Sequence, residues 1–239
     1  MQRIKLTVNV EWVGHACFRI WQDEQSVIVT DPFSPSRLGL PDGSAIEGDI
    51  VIVSSLDDVA HGCPDLVQGS PRVINALDLV KNNQQAEING TPIVTLGAAE
   101  SPFHESGHPK DNALYAFNVG GLWILHLGDL GHGLNSSELE VFQNKCDVLL
   151  AIVGQSNTLS LQELDVLIEK LKPNWIIPMH YLLWWPSKMR PLKEFLDRRA
   201  QDTLIYLRSS TAKFSGLSNG LKKTEILVLE ASLDPRRMR

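Results

Sequence analysis

Residues 122–132 read Leu-Trp-Ile-Leu-His-Leu-Gly-Asp-Leu-Gly-His. Leu122 to Leu125 are continuously apolar, the pattern of a strand buried on both faces. The run then breaks into His126, Gly128, Asp129, Gly131 and His132. Glycine permits the sharp turn that a side chain would block. Two imidazoles and a carboxylate are thereby placed at a strand's carboxyl end, a frequent seat of chemistry in layered α/β folds. A Gly-Asp turn whose aspartate caps local N–H groups accounts for the same residues. The rest of the chain has to separate these readings.

Towards the N-terminus the chain reads as strand after strand. Ile4, Leu6, Val8, Val10 and Trp12 alternate with polar residues, which predicts a half-buried strand. Gly14-His15 interrupts it, and the segments 17–21, 26–30, 50–53, 72–76 and 91–96 follow as further strands. The segments 113–119 and 122–127 read as a hairpin about Gly120-Gly121. Beyond it helices appear. Asn135 with Glu138 and Ser160 with Glu163 open helices over 135–146 and 160–171 as capping boxes, the second carrying an apolar stripe that stops before Pro173. A strand at 148–153, a strand at 175–178 running into His180, a helix at 192–199 and strands at 203–207 and 224–230 complete the chain. No linker or repeat divides it, so one domain over residues 1–239 is expected, with sheets inside and helices outside.

Composition narrows the function classes. Hydrophobic residues make up 43% and charged residues 21%, an ordinary balance for a chain with a substantial core. A net charge of −6 argues against a nucleic-acid partner, which would favour a basic face. Three widely spaced cysteines without a CxxC fit reduced thiols in a cytoplasmic protein. No apolar run approaches the roughly 20 residues that span a membrane, and the N-terminus lacks a signal-peptide layout. A small-molecule substrate is the expected partner, with homo-oligomerisation left open. A nucleophile elbow, a Walker A loop and a dinucleotide-binding glycine pattern are all missing.

His15, Asp31, Asp57 with His61, His104, His126 with Asp129, and His180 each follow or interrupt a predicted strand. Strands sharing two packed sheets could bring those loops to one rim. Histidine and aspartate drawn from several loops are the ligand chemistry of a transition-metal site. Asp31, before Pro32, suits a turn or a carboxylate that orients a histidine ring.

The chain resembles the metallo-β-lactamase superfamily, in its zinc-dependent hydrolase branch. Matching pieces are Trp12-Val-Gly-His15, Asp31-Pro32-Phe33, the 49–54 segment Asp-Ile-Val-Ile-Val-Ser, His104-Glu105 and Asn112. The 126–132 stretch, Asp147-Val-Leu-Leu with Gly154, and Ile177-Pro-Met-His-Tyr181 complete the set in the family's order. The resemblance implies an αββα four-layer sandwich: two mixed sheets face to face, helices outside, and the site on one sheet edge. It implies a mono- or dinuclear metal centre activating water against an ester, amide, lactone or phosphodiester. His104 matches a family ligand, Asp129 the aspartate that bridges two metals, and His180 the last histidine ligand.

One motif departs from the family. Its His-x-His-x-Asp-His signature falls where this chain reads Ser55-Leu-Asp-Asp-Val-Ala-His61. Allowing one inserted residue, Asp58 and His61 recover its last two ligands. The resemblance therefore implies an altered, mononuclear centre held by His104, Asp129, His180 and one of Asp57, Asp58 or His61. Asp57 or Asp58, released from ligation, is expected to act as general base. His126 is expected on the reacting side, with His15, Asp31 and His132 supporting the ligands from behind. Zinc is the first expectation; a carboxylate in place of an imidazole would shift preference towards manganese, iron or magnesium. The rival reading is a binding or assembly module that kept the fold and lost its metal. Metal-free chemistry by the cluster itself is a third.

Overall fold

Alternation in the first strand translates directly into burial. Thr7–Gly14 is extended, and Val8, Val10 and Trp12 turn inward while Thr7, Asn9 and Glu11 face partly outward. The structure is a computed structural model that describes residues 7–23, 25–38, 44–57, 60–103, 110–183, 188–215 and 223–234. Asp58 and His104, two of the expected site residues, lie outside the described residues, as do Trp184 and Trp185.

Among the described residues the long strands form two mixed sheets. One has six strands, in the order Thr211–Ser215, Thr7–Gly14, Cys17–Gln22, Ile28–Thr30, Ile50–Val53 and Arg72–Asn75. The other has seven, in the order Val94–Ala98, Asn112–Val119, Leu122–His126, Val148–Ile152, Trp175–Met179, Glu225–Val228 and Thr203–Tyr206. Three successive strands of the first sheet run parallel, from Ile28–Thr30 to Arg72–Asn75. In the second sheet the strands from Leu122–His126 onward are parallel. The sheets share one apolar core: Trp12, Phe18 and Ile52 of the first pack in the same cluster as Phe117, Ile124 and Leu149 of the second. This is the two-sheet architecture of the metallo-β-lactamase fold, with helices outside the sheets.

The Ser160 capping box forms as expected. Its hydroxyl accepts from Glu163 N–H, and the Glu163 carboxylate accepts from Ser160 N–H. Helix Leu161–Leu171 then buries Leu161, Leu164, Leu167 and Ile168 on one stripe and ends at Lys172, in the left-handed conformation, before Pro173. Three elements depart from expectation. The helix expected over 135–146 is confined to Ser136–Glu140, with residues 141–144 continuing as turns. The segment 72–76 gives way at Asn75, whose side chain caps a short helix, Ala76–Lys81. Thr211–Ser215, to which the sequence reading assigns no element, is a strand paired antiparallel with Thr7–Gly14. No helix among the described residues is long and apolar enough to cross a membrane.

The parallel strands matter for function because their carboxyl ends point the same way within each sheet. Asp31 follows Ile28–Thr30, Ser54 follows Ile50–Val53, Asp129 lies three residues beyond His126, and His180 follows Trp175–Met179.

Candidate metal centre

His15, His61 and His180 converge at that edge. A ring nitrogen of each lies within 4.8 Å of a ring nitrogen of both others, and all three residues are buried. The His15 and His180 rings stack with centroids 4.2 Å apart, and His61 lies 4.9 Å from His15 and 5.4 Å from His180. Asp129 closes the group, its carboxylate 3.5 Å from His180 Nε2 and 3.8 Å from His61 Nε2. Three of the participating loops hold backbone conformations that L-residues rarely adopt: φ is +50° at His15, +37° at Asp31 and +55° at His180. Such strain persists only where the surroundings over-determine it, and it concentrates at functional sites.

Those surroundings are hydrogen bonds on named atoms. Asp31, fully buried, accepts from Ser54 N–H (2.8 Å), Ser54 Oγ (2.7 Å), the Tyr115 hydroxyl (2.8 Å) and His61 Nδ1 (3.0 Å). Burial alone would raise the Asp31 carboxyl. The His126 and His61 imidazoles and the Ser54 hydroxyl overcome it and hold it below the usual carboxylate range. The ionised carboxylate therefore accepts a hydrogen bond from the Nδ1–H of His61, which fixes the tautomer and turns Nε2 towards Asp129. This carboxylate–imidazole pairing is the arrangement that orients histidines at metal sites.

The 126–132 stretch forms the opposite wall. His126 Nδ1 accepts from Gly128 N–H (2.9 Å), so its Nε2 carries the proton and donates to the Ala16 carbonyl (2.8 Å). Asn112 Oδ1 takes the Asp129 N–H (2.8 Å) and fixes the turn. Gly128 turns at φ +59°, and a Cβ there would collide with the Asn112 amide and Ser54. His132 lies on the far side of this turn, its ring nitrogens at the Gly133 carbonyl (2.8 Å) and the Ala99 N–H (3.3 Å).

The described residues named by the sequence are thus sorted by place. His61, Asp129 and His180 come together, and His15 joins them instead of standing behind them. Asp31 lies behind His61. Both ring nitrogens of His126 are committed to backbone groups, and the residue is buried behind the turn that carries His15. Asp57 is exposed, with its N–H on Ser55 Oγ, outside the histidine group. Tyr115 was not singled out by the sequence. A tyrosine within the buried strand Asn112–Val119 was the available signal, since a buried hydroxyl seeks a partner.

The donor set fits a divalent metal. His15 Nδ1 is buried and makes no hydrogen bond among the described residues, a situation that costs about 1–3 kcal/mol unless something else satisfies it. Burial, reinforced by neighbouring imidazoles, holds the His180 imidazole down at about 3 and that of His15 well below its ordinary value. Both rings are neutral at neutral pH, the form that ligates.

A family profile for the beta-lactamase superfamily domain matches residues 9–180. The chain belongs to the metallo-β-lactamase superfamily. Among curated relatives it resembles a UPF0173 metal-dependent hydrolase of Thermococcus onnurineus, 26% identical over 223 residues that span 83% of this chain and 96% of the relative. It is also similar to a UPF0173 metal-dependent hydrolase of Pelotomaculum thermopropionicum, 25% identical over 201 residues, or 74% and 86% of the two chains. A crystal structure from Thermotoga maritima, provisionally described as a Zn-dependent hydrolase of this superfamily, superposes with a TM-score of 0.67. It is 28% identical, covering 93% of this chain and 98% of its own. A metallo hydrolase from Ignicoccus hospitalis shares the fold, with a TM-score of 0.63 at 18% identity, covering 88% of this chain and 100% of its own.

Proposed function

We propose that this protein is a metal-dependent hydrolase with a single divalent ion, zinc in the first instance, held by His61, His180 and Asp129. One observation carries the reading: imidazoles and a carboxylate from both sheets meet in a buried group whose geometry a fully buried aspartate enforces. The relatives' description as metal-dependent hydrolases supports it.

A bound metal supplies an acidified water near neutral pH. Everything else falls to the chain. Asp31 holds the His61 tautomer, and the hydroxyl of Tyr115 with the N–H and hydroxyl of Ser54 hold Asp31. Asp129 places its carboxylate beside two imidazoles while its own N–H is fixed by Asn112. His126 holds the Ala16 carbonyl and with it the turn that presents His15. The apolar core beneath excludes water from one side of the group, so attack comes from the solvent side, where Asp129 is 21% exposed. The substrate is read as a small polar ester, lactone, amide or phosphodiester, and the protein as a cytoplasmic enzyme folded as a single domain, engaging neither nucleic acid nor membrane.

The test is metal content by mass spectrometry, on protein purified without chelator or affinity tag, beside His180→Ala and Asp129→Ala. Near one equivalent, lost in both variants, is expected, together with turnover of an ester, lactone or phosphodiester panel that chelation abolishes. A substoichiometric trace indifferent to both substitutions would overturn the reading and favour a binding module instead. The exposure of Asp57 and the serine at position 55 are the features that such a module would explain.

A further inference from the structure

We propose that His15 is itself a metal ligand, forming with His61 and His180 a three-imidazole set that replaces the ligands missing at Ser55 and Asp57. This rests on the metal-binding reading above and deepens it, because it identifies where the lost coordination was rebuilt.

The argument starts from the two vacated positions. Ser55 Oγ accepts a backbone N–H from Asp57, and the Asp57 side chain is exposed. Neither belongs to the buried histidine group. His15 does belong, although it comes from a different sheet corner, the turn between Thr7–Gly14 and Cys17–Gln22. That turn is bolted in place. The His15 carbonyl accepts from the Trp12 indole (3.0 Å) and from the His180 backbone N–H (3.0 Å), and the next carbonyl, Ala16, accepts from His126. Two ligand candidates on different sheets are therefore tied backbone to backbone, and their rings stack as a consequence.

A merely structural histidine at this place would hydrogen-bond through its ring. His15 Nδ1 is buried without such a bond among the described residues, and buried polar atoms of this kind call for a specific explanation. A metal supplies it. Ligand nitrogens around a four-coordinate zinc lie about 3.4 Å apart, given Zn–N bonds of about 2.0–2.1 Å. The three rings, within 4.8 Å, need to close by on the order of 1 Å, which side-chain rotation provides. The set also changes the expected metal. With Asp57 outside and an imidazole inside, the donors favour zinc, cobalt or iron over magnesium.

The experiment titrates Co(II) into apo-protein and follows the visible ligand-field bands and the dissociation constant. Wild type is compared with His15→Asn and His15→Gly, both of which tolerate the positive φ of +50° at this position. Loss of a supporting group lowers affinity by about 10–100-fold. Loss of a ligand is expected to exceed that and to change the Co(II) spectrum, and added imidazole is expected to restore the spectrum in His15→Gly. Wild-type binding with an unchanged spectrum in both variants, and a loss within 100-fold, would overturn His15 as a ligand while leaving the metal site standing. Absence of Co(II) binding by wild type would overturn both readings together. Far-UV circular dichroism of each variant confirms that the fold is retained.

Discussion

His61 is held between two aspartates that serve opposite ends. Asp31, from the six-stranded sheet, faces Nδ1; Asp129, from the seven-stranded sheet, faces Nε2. Asp31 is fully buried and uses its oxygens on four donors. Asp129 is partly exposed, receives its orientation through its backbone, and aims its carboxylate between two imidazoles. The difference teaches that burial and hydrogen-bond saturation separate the carboxylate that builds the group from the one proposed to work in it. Sequence position alone does not, since both aspartates follow a strand.

The largest effect expected from this contrast is on stability. Asp31→Ala leaves the Ser54, Tyr115 and His61 donors buried without their acceptor and should cost about 3–5 kcal/mol, read as a lowered urea midpoint of apo-protein. Asp129→Ala should leave the apo midpoint within about 1 kcal/mol and abolish tight metal binding. Equal stability losses in the two variants would break the distinction.

A smaller effect belongs to Tyr115→Phe. It deletes one of the four donors to Asp31 and should cost about 1–2 kcal/mol, with a drop in metal affinity of about 10–100-fold through the loosened His61. Isothermal titration with Zn(II) measures the second quantity. A stability loss with unchanged affinity would show that Asp31 holds His61 without help from the tyrosine.

Much of this was legible in the chain. The capping box at Ser160 and the alternation of Val8, Val10 and Trp12 are local signals, and both became the expected elements. Helix Ala76–Lys81 was not read, because six residues are too few for a helical period to show; only the Asn75 cap announced it. Strand Thr211–Ser215 buries just Ala212 and Phe214, and its stability comes from a partner strand some 200 residues away in sequence. The convergence of His61, Asp129 and His180 follows from strand ends that the sequence did mark. His15 was marked too, as interrupting a strand, but was expected behind the ligands; its place within the group depends on the His15–His180 backbone bond between sheets. The commitment of His126 to the Ala16 carbonyl is likewise a fact of packing.

The smallest expected effect concerns a third carboxylate. Glu163 is half-buried at a helix start, and bonds from Ser160 and Gly133, with the neighbouring His132 imidazole, outweigh burial and keep its carboxyl below the ordinary range. A depressed folded-state value contributes stability that is present above the unfolded carboxylate pKa of about 4.3 and is lost as pH falls through the folded value. Acid titration of stability below about pH 4.3 should therefore be shallower in Glu163→Gln than in wild type. Identical acid limbs would show that this carboxylate belongs with neither of the other two.

The strand that delivers His180 has a late neighbour. Trp175–Met179 is flanked on one side by Val148–Ile152 and on the other by Glu225–Val228, with the Trp175 indole donating to Glu225. The first strand likewise gains its outer partner only from Thr211–Ser215. His15 and His180 both precede, in chain order, the segments that close the strands behind them, so synthesis delivers both histidines before those strands gain their outer partners. A chain stopped short of residue 211 would carry both histidines on strands that lack these closing partners.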